Sequence, residues 1–421
     1  MTNTTPIIVI INCSILDKLP HSLLLHILSQ LDDSADVARC RVASKAFDGV
    51  FPGLRSINLI CSLNWYSSKR IKPFKTVFLD HISQLETVES VSIALDGLLM
   101  YYIDHDADDL YLTGEDFTNH WLPRASGSLK SLSISDHYSQ NPSDVLPLIS
   151  AYYLLDEPLN DFNKCFPNLQ FLKLLSVKGL KHPKIHLLSL KTCLLDVLDC
   201  MESLSLIAPS LMLLKFKCYN PRALHVEAPM LSHFHIGFYE HGPLTLIKLD
   251  NLKTLWLESS HCGSLLSAFL VIESVDNLTL ESRHPDERDH AYPKLSLQTV
   301  LMVFPNVSSL CIRSGAWSEL EACLNTQGWE ILDGTTGLKT ICAYLKFGDP
   351  SLTFSSIACV LDQCVDLLEV KLLIHKGVTG TVFESFMSKC MLCWPGLKWR
   401  WGIWSMWSED IECQMNHGTS S

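Results

Sequence analysis

One phrase constrains this chain more than any other. It consists of a hydrophobic residue, two variable positions, a second hydrophobic residue, one variable position and a third hydrophobic residue. It reads Leu54-Arg-Ser-Ile57-Asn-Leu59, Leu129-Lys-Ser-Leu132-Ser-Ile134, Leu169-Gln-Phe-Leu172-Lys-Leu174 and Leu252-Lys-Thr-Leu255-Trp-Leu257. It continues as Val275-Asp-Asn-Leu278-Thr-Leu280, Val307-Ser-Ser-Leu310-Cys-Ile312, Leu338-Lys-Thr-Ile341-Cys-Ala343 and Leu367-Leu-Glu-Val370-Lys-Leu372. The last three positions alternate, so each phrase predicts a short strand with every other side chain turned inward. Such a unit cannot bury its apolar face alone, and stacked units share one continuous core. From Leu169 to Leu367 the phrases recur every 20 to 32 residues or so, which leaves room in the longer intervals for a helix or long loop. Leu204, Leu214, Leu224, Phe234, Leu244 and Leu255 fall about ten apart. Two strands per coil would complete a turn there without a helix.

Composition removes several classes of function. Hydrophobic residues make up 47% of the 421 positions and charged residues 19%, enough apolar mass for a large core and too much for wholesale disorder. The 33 basic residues against 45 acidic ones give a net charge of −12, so phosphate backbones are poor general ligands and no nucleic-acid partner is expected. The 16 cysteines sit mostly in apolar runs such as Leu310-Cys311-Ile312, as reduced buried thiols do. The first residues lack a basic segment, and the apolar run Ile7 to Ile11 is too short for a signal core or a membrane span. The expectation is a soluble protein without membrane contact, cytoplasmic or nuclear.

The N-terminal stretch follows a different, helical rhythm. Pro20 suits a first turn, and Leu23, Leu24, Ile27, Leu28 and Leu31 form a wide apolar stripe. Asp32-Asp33-Ser34 offers caps for a second helix with Val37, Cys40 and Val42 on its inner face. Ser44 is placed to cap a third, carrying Phe47 and stopped by Gly49 and Pro52. A unit of about 35 residues is too small for a sound core of its own. Its leucines need a neighbour, either the rest of the chain or another protein. These residues resemble an F-box: Leu19-Pro20, Leu23-Leu24-Leu25, Ile27-Leu28-Ser29, Leu31, Asp36-Val37, Ser44-Lys45 and Phe47 match its pattern in register. Ala43 and Phe47 depart from it, where the family usually has Val and Trp.

The repeats resemble the irregular leucine-rich repeats that follow F-boxes in plant proteins. The turn phrases Ala208-Pro-Ser-Leu211 and Ala228-Pro-Met-Leu231 match that group, and Phe-Pro-Asn precedes the repeat phrase at 166–168 and 304–306. The resemblance implies an α/β chain in which a three-helix F-box precedes an irregular leucine-rich-repeat solenoid, or horseshoe. The expected boundaries are a leader at 1–15, an F-box at 16–53, a solenoid at 54–393, an aromatic cap at 394–408 and a polar tail at 409–421. The stretch Trp394 to Trp407 holds five of the ten tryptophans, and Trp399-Arg-Trp401 alternates as a last strand with one aromatic face. It reads as the seal of the final coil, with an aromatic patch for a ligand or partner as the alternative.

No motif assembles a nucleophile, base and oxyanion donor, and no enzymatic activity is expected of this chain. Asp104, Asp106, Asp108 and Glu115 have calcium-loop spacing, but Asp109 stands where the sharp turn wants Gly, so an acidic loop is expected. Cys390-x-x-Cys393 lacks the second pair that a zinc site needs. His284 to His290 reads as a charged loop. No metal or cofactor is expected. Some relatives hold inositol phosphate or a hormone in the solenoid. That would need a basic ring, and the acidic balance argues against one. The resemblance implies a substrate-recognition subunit of a Skp–cullin–F-box ubiquitin ligase. Leu19, Pro20, Leu23, Leu24, Ile27, Leu28 and Val37 would dock a Skp-family adaptor, and through it a cullin. The repeats would hold a target protein of unknown identity. The alternative is a protein-binding scaffold with no role in ubiquitin transfer.

Overall fold

The computed structural model describes residues 16, 18–31, 33–62, 72–95, 112, 115–135, 165–177, 180, 182–198, 201–219, 221–238, 250–267, 269–283, 295–327, 337–378 and 380–405. The leader, the calcium-like loop up to Asp109, Leu244, the loop from His284 to His290, Trp407 and the polar tail lie outside them. The chain divides into two compact units, Met1–Asp199 and Cys200–Ser421.

The first unit opens with three helices, α1 (His21–Ser29), α2 (Ser34–Ala43) and α3 (Lys45–Val50). Pro20 precedes α1 with an extended backbone, and its carbonyl accepts from Leu23 and Leu24. The Asp33 side chain accepts from the Ala35 amide at 2.8 Å and Ser44 from the Ala46 amide at 3.2 Å, so both expected caps are made. Leu24, Leu28, Val37, Phe47 and Val50 are buried. Ser34 Oγ accepts from the Asn58 amide at 2.9 Å and ties the helices to the first strand.

Strands β1 (Ser56–Cys61), β2 (Ser90–Leu95), β3 (Ser131–Ser135), β4 (Phe171–Val177) and β6 (Thr192–Val197) lie side by side, all parallel, with β5 (Lys184–His186) outside that row. Register equates Ile57, Val91, Leu132, Leu172 and Cys193, the inward positions of successive coils. Helices α4 (Phe74–Gln84) and α5 (Glu115–Ala125) contribute Phe78, Phe117 and Trp121, whose rings meet with centroids 5.3 to 6.4 Å apart. Near the end of β4 the register slips between Leu174 and Val177, and buried Ser176 takes φ 57°, the left-handed conformation of a bulge.

In the second unit, β8 (Leu213–Cys218), β10 (His233–Phe238), β11 (Thr254–Ser259), β12 (Asn277–Ser282), β13 (Ser309–Ile312), β14 (Thr340–Leu345), β15 (Glu369–His375) and β16 (Lys398–Trp404) form a parallel row. Separately, β7 (Ser203–Ile207) pairs in parallel with β9 (Ala223–Glu227). The ten-residue rhythm therefore alternates between two sheets, as the spacing predicts, with β9 standing where a helix would.

Interval length decides what crosses between strands. Leu213 to His233 spans 20 residues and crosses with β9 alone. Thr254 to Asn277 spans 23 and holds the short α6 (Cys262–Leu266). The intervals from Asn277 onward, 29 to 32 residues, hold α7 (Leu297–Val303), α8 (Ser314–Gln327), α9 (Pro350–Gln363) and α10 (Gly380–Cys393). Leu255, Leu278, Leu310, Ile341 and Val370 are buried on the helix side of the sheet.

Small polar devices fix the spacing of coils. Asn168, Asn251 and Asn306 donate through Nδ2 to the carbonyls of Gly127, Pro229 and Glu273 in the preceding coils, at 2.7 to 2.9 Å. That gives the Asn of Phe-Pro-Asn its purpose, while Phe166 and Phe304 are buried. The two Ala-Pro phrases are tight turns closed by Leu211 N–H to Ala208 and Leu231 N–H to Ala228, each at 3.0 Å. Glu319 on α8 accepts from the Cys262 and Gly263 amides at 3.0 Å each and from Ser282 Oγ at 2.6 Å. One carboxylate thus satisfies the start of α6 and the end of β12 together. At Gly315 any Cβ would fall on the Ser282 carbonyl oxygen, so only glycine lets α8 start this close to the strand.

Candidate functional site

Two surfaces carry functional character, one in each unit. The first is on the helical module. Of the seven residues expected to dock an adaptor, Leu24, Leu28 and Val37 are buried and form the module's own core. Pro20 is exposed, Leu19 half-buried, and Leu23 and Ile27 are 42% and 37% exposed. Leu23 and Ile27 are one helical turn apart on α1, so they share a face. Val42, expected inward, is 92% exposed. Five residues after Val37 on α2, it lies about 140° around the helix from the buried stripe. Arg41 packs its guanidinium 3.7 Å from the Phe51 ring and donates to Asp48 at 2.8 Å, which fixes the join to the first coil.

The second surface is the sheet face of the second unit that looks away from its helices. Its middle row is set by register. Lys215 stands beside His235, then Trp256, Thr279 and Cys311, and the row continues through Cys342 and Lys371 to Arg400. His235 and Trp256 stack at 4.5 Å with planes 8° apart. In the next row Glu258 gathers Lys217 Nζ at 2.7 Å, His235 Nε2 at 2.9 Å and the Arg283 guanidinium. Lys217 reaches Glu258 across Gly237, where a Cβ would come within 3.0 Å of Lys217 Cγ. Glu281 accepts from Arg313 Nε at 3.1 Å, and the Arg313 guanidinium lies 4.4 Å from the Tyr344 ring centroid.

Burial lowers the His235 pKa to about 4, against the opposing pull of its hydrogen bond to Glu258. The imidazole is therefore neutral near pH 7 and donates to Glu258 rather than forming an ion pair. Burial alone would raise Glu258, but the hydrogen bond from His235 and the charges of Lys217 and Arg283 outweigh it and hold the carboxyl well below the usual range. Lys217, Gly237, Phe238, Glu258 and Arg283 line a shallow depression that encloses no cavity.

The C-terminal tryptophans divide between the two faces of β16. Trp399 and Trp401 stack at 5.3 Å on the helix side, half-buried, with Phe383 edge-on to Trp401 at 6.1 Å. Trp404 is the buried one. It lies on the opposite face against Tyr344 and Leu373 and donates to the Leu345 carbonyl at 3.2 Å. Cys390 is buried and Cys393 exposed on α10, and no cluster of three metal-ligating side chains occurs among the described residues.

Comparison with known proteins bears on both surfaces. Residues 16–51 match the F-box-like family, which covers the helical module. An F-box/LRR-repeat protein of Arabidopsis thaliana is 34% identical over 94% of this chain and the whole of its own length. The chain belongs to the plant F-box/LRR-repeat family. Its helical module is the F-box, and its parallel strands are leucine-rich repeats. No solved structure matches the chain. Among the described residues no helix of this F-box/LRR-repeat protein is long and apolar enough to cross a membrane.

Proposed function

We propose that this F-box/LRR-repeat protein is the non-catalytic target-recognition subunit of a Skp–cullin–F-box ubiquitin ligase. The observation that carries the reading is the division of labour on α1 and α2. Leu24, Leu28 and Val37 hold the module together from within, while Leu19, Pro20, Leu23 and Ile27, on α1 and just before it, leave an apolar strip at the surface. A folded module that keeps such a strip exposed has a partner for it. A Skp-family adaptor is the partner that an F-box generally takes, and a cullin follows through it. The repeats then hold a target protein, and the contribution to ubiquitin transfer is proximity rather than chemistry.

The test is co-purification. The tagged full chain is expressed in plant cells and its partners identified by mass spectrometry, beside a Leu19→Ala, Pro20→Ala variant. Wild type should retrieve a Skp-family adaptor and a cullin, and the variant neither. Wild type without an adaptor, or a variant that keeps both partners, would leave the chain a scaffold outside the ubiquitin pathway.

A further inference from the structure

The outward sheet face of the second unit has a charge opposite to that of the chain. The protein carries −12 overall. On this face the basic side chains outnumber the acidic ones. Lys215, Lys217, Lys371, Lys398 and Arg400 occupy outward positions on the strands, and Arg283 and Arg313 follow directly after β12 and β13. The acidic residues of the same face are Glu258, Glu281 and Glu369. The middle row contains no acidic residue at all among its eight register positions.

The two signs differ in depth most clearly on the last two strands. Glu258, Glu281 and Glu369 show 7%, 14% and 24% of their side-chain surfaces. Of the cations, Lys398 and Arg400 show 63% and 58% and Arg283 31%, whereas Lys217 and Arg313 show only 16% and 7%. Glu369 bonds both Lys398 and Arg400, and Glu258 bonds both Lys217 and Arg283, so each of these carboxylates is outnumbered two to one. Lys371 has no ion-pair partner among the described residues. A partner approaching this face therefore meets Lys398 and Arg400 above Glu369, with Arg283 and Lys371 also within reach, while Lys217 and Arg313 lie at the depth of the carboxylates they pair with.

We propose that this face docks an acidic, extended polypeptide segment of the target protein, one rich in Asp and Glu. The inference rests on the reading that the repeats hold a target, and it names that target's chemistry. Lys215 and Arg400 are seven strand steps apart in register. At about 4.8 Å per step the row runs about 34 Å, which an extended segment of about ten residues crosses. The remaining surface of an acidic protein repels such a segment, so the field also steers it to this face. Nucleic acid is the other polyanion, and the chain's net charge works against a long phosphate backbone that must run past the face.

The test is selection of random twelve-residue peptides on the full chain, alongside a Lys371→Glu, Arg400→Glu variant. A Lys371→Gln, Arg400→Gln variant serves if the reversal disturbs folding. Melting temperature and adaptor binding are measured on each. Wild type should enrich Asp- and Glu-rich peptides whose affinity falls at least tenfold between 50 and 300 mM salt, given a Debye length that shrinks from about 14 to about 6 Å. The reversal variant should lose that enrichment, and the neutral variant should weaken binding about tenfold, both with adaptor binding intact. Enrichment of neutral or basic peptides, no enrichment, or equal binding by the variants would overturn the proposal. So would tighter binding of a twelve-nucleotide single-stranded RNA. Loss of adaptor binding by wild type, with acidic peptides still selected, would instead overturn the ligase reading and leave this one standing.

Discussion

Replacing Glu319 by Gln changes one atom and almost no volume, so it tests the brace between coils without opening a cavity. The carboxylate accepts three hydrogen bonds, from the Cys262 and Gly263 amides and Ser282 Oγ, all at 3.0 Å or less. A Gln side chain keeps one acceptor oxygen and turns an NH₂ toward a donor. With the NH₂ toward Gly263 that N–H loses its partner, and with it toward Cys262 that N–H keeps only its longer bond of 3.4 Å to Ser282 Oγ. A buried donor left unsatisfied costs about 1–3 kcal/mol, and the surviving bonds lose about 1 kcal/mol of charge assistance. The expected loss is about 2–4 kcal/mol. The unit that contains the brace spans 222 residues, 200 to 421. For that size 1 kcal/mol moves the midpoint by about 2–4 °C, so the variant should melt about 4–16 °C below wild type. Circular dichroism or dye-monitored melting of the purified chain measures it. A shift under about 2 °C would refute the assignment of Glu319 as the link between α6, α8 and β12.

Other perturbations probe the core and its ionisation. Leu255→Asp places a charge at a fully buried repeat position and should cost several kcal/mol, appearing as loss of soluble protein or a large drop in the urea midpoint. A wild-type midpoint would show that the repeat register is wrong. Burial raises the thiols of Cys193 and Cys390 from 9.0 to about 12 and that of Cys359 to about 11, so the folded state favours the neutral form. That stability is fully present below about pH 9 and is lost as pH rises through the folded values, because the unfolded chain ionises first. The urea midpoint in reductant should therefore fall between pH 8 and pH 10.5. An unchanged midpoint would contradict the burial of these thiols.

The strand positions were legible because the repeat phrase encodes its own periodicity. Leu129 to Ile134 leads into β3, Leu338 to Ala343 into β14, and Lys398 to Trp401 opens β16. The caps at Asp33 and Ser44 were equally local. What escaped depends on contacts between distant positions. Glu319 lies 57 residues from Cys262, and Lys217 lies 41 from Glu258, and neither pairing has a local signature. Whole-chain charge could not place the basic face, because it averages over surfaces. Its signal was nonetheless present, since Lys215-Phe-Lys217 and Lys398-Trp-Arg400 put cations at alternating strand positions. Trp404 was grouped with Trp399 and Trp401 by composition, yet an odd offset from Trp401 sends it to the other face. On the helical module the pattern alone does not separate docking leucines from structural ones. Leu23 and Leu24 are adjacent, and only packing against α3 and the first coil decides which is spare.

The proposed ligase role rests on the exposed strip of the F-box docking a Skp-family adaptor. The most direct measurement is the calorimetric affinity of the purified full chain for a recombinant plant Skp-family adaptor. It compares wild type with a Leu23→Asp, Ile27→Asp variant. Both side chains are already partly exposed, so the isolated variant should melt within about 2 °C of wild type. Two carboxylates forced into an apolar interface should weaken binding at least 100-fold, about 2.8 kcal/mol. Binding by wild type that the variant loses at unchanged stability is the predicted result. Equal affinity in the two proteins, or no binding by wild type, would contradict the claim.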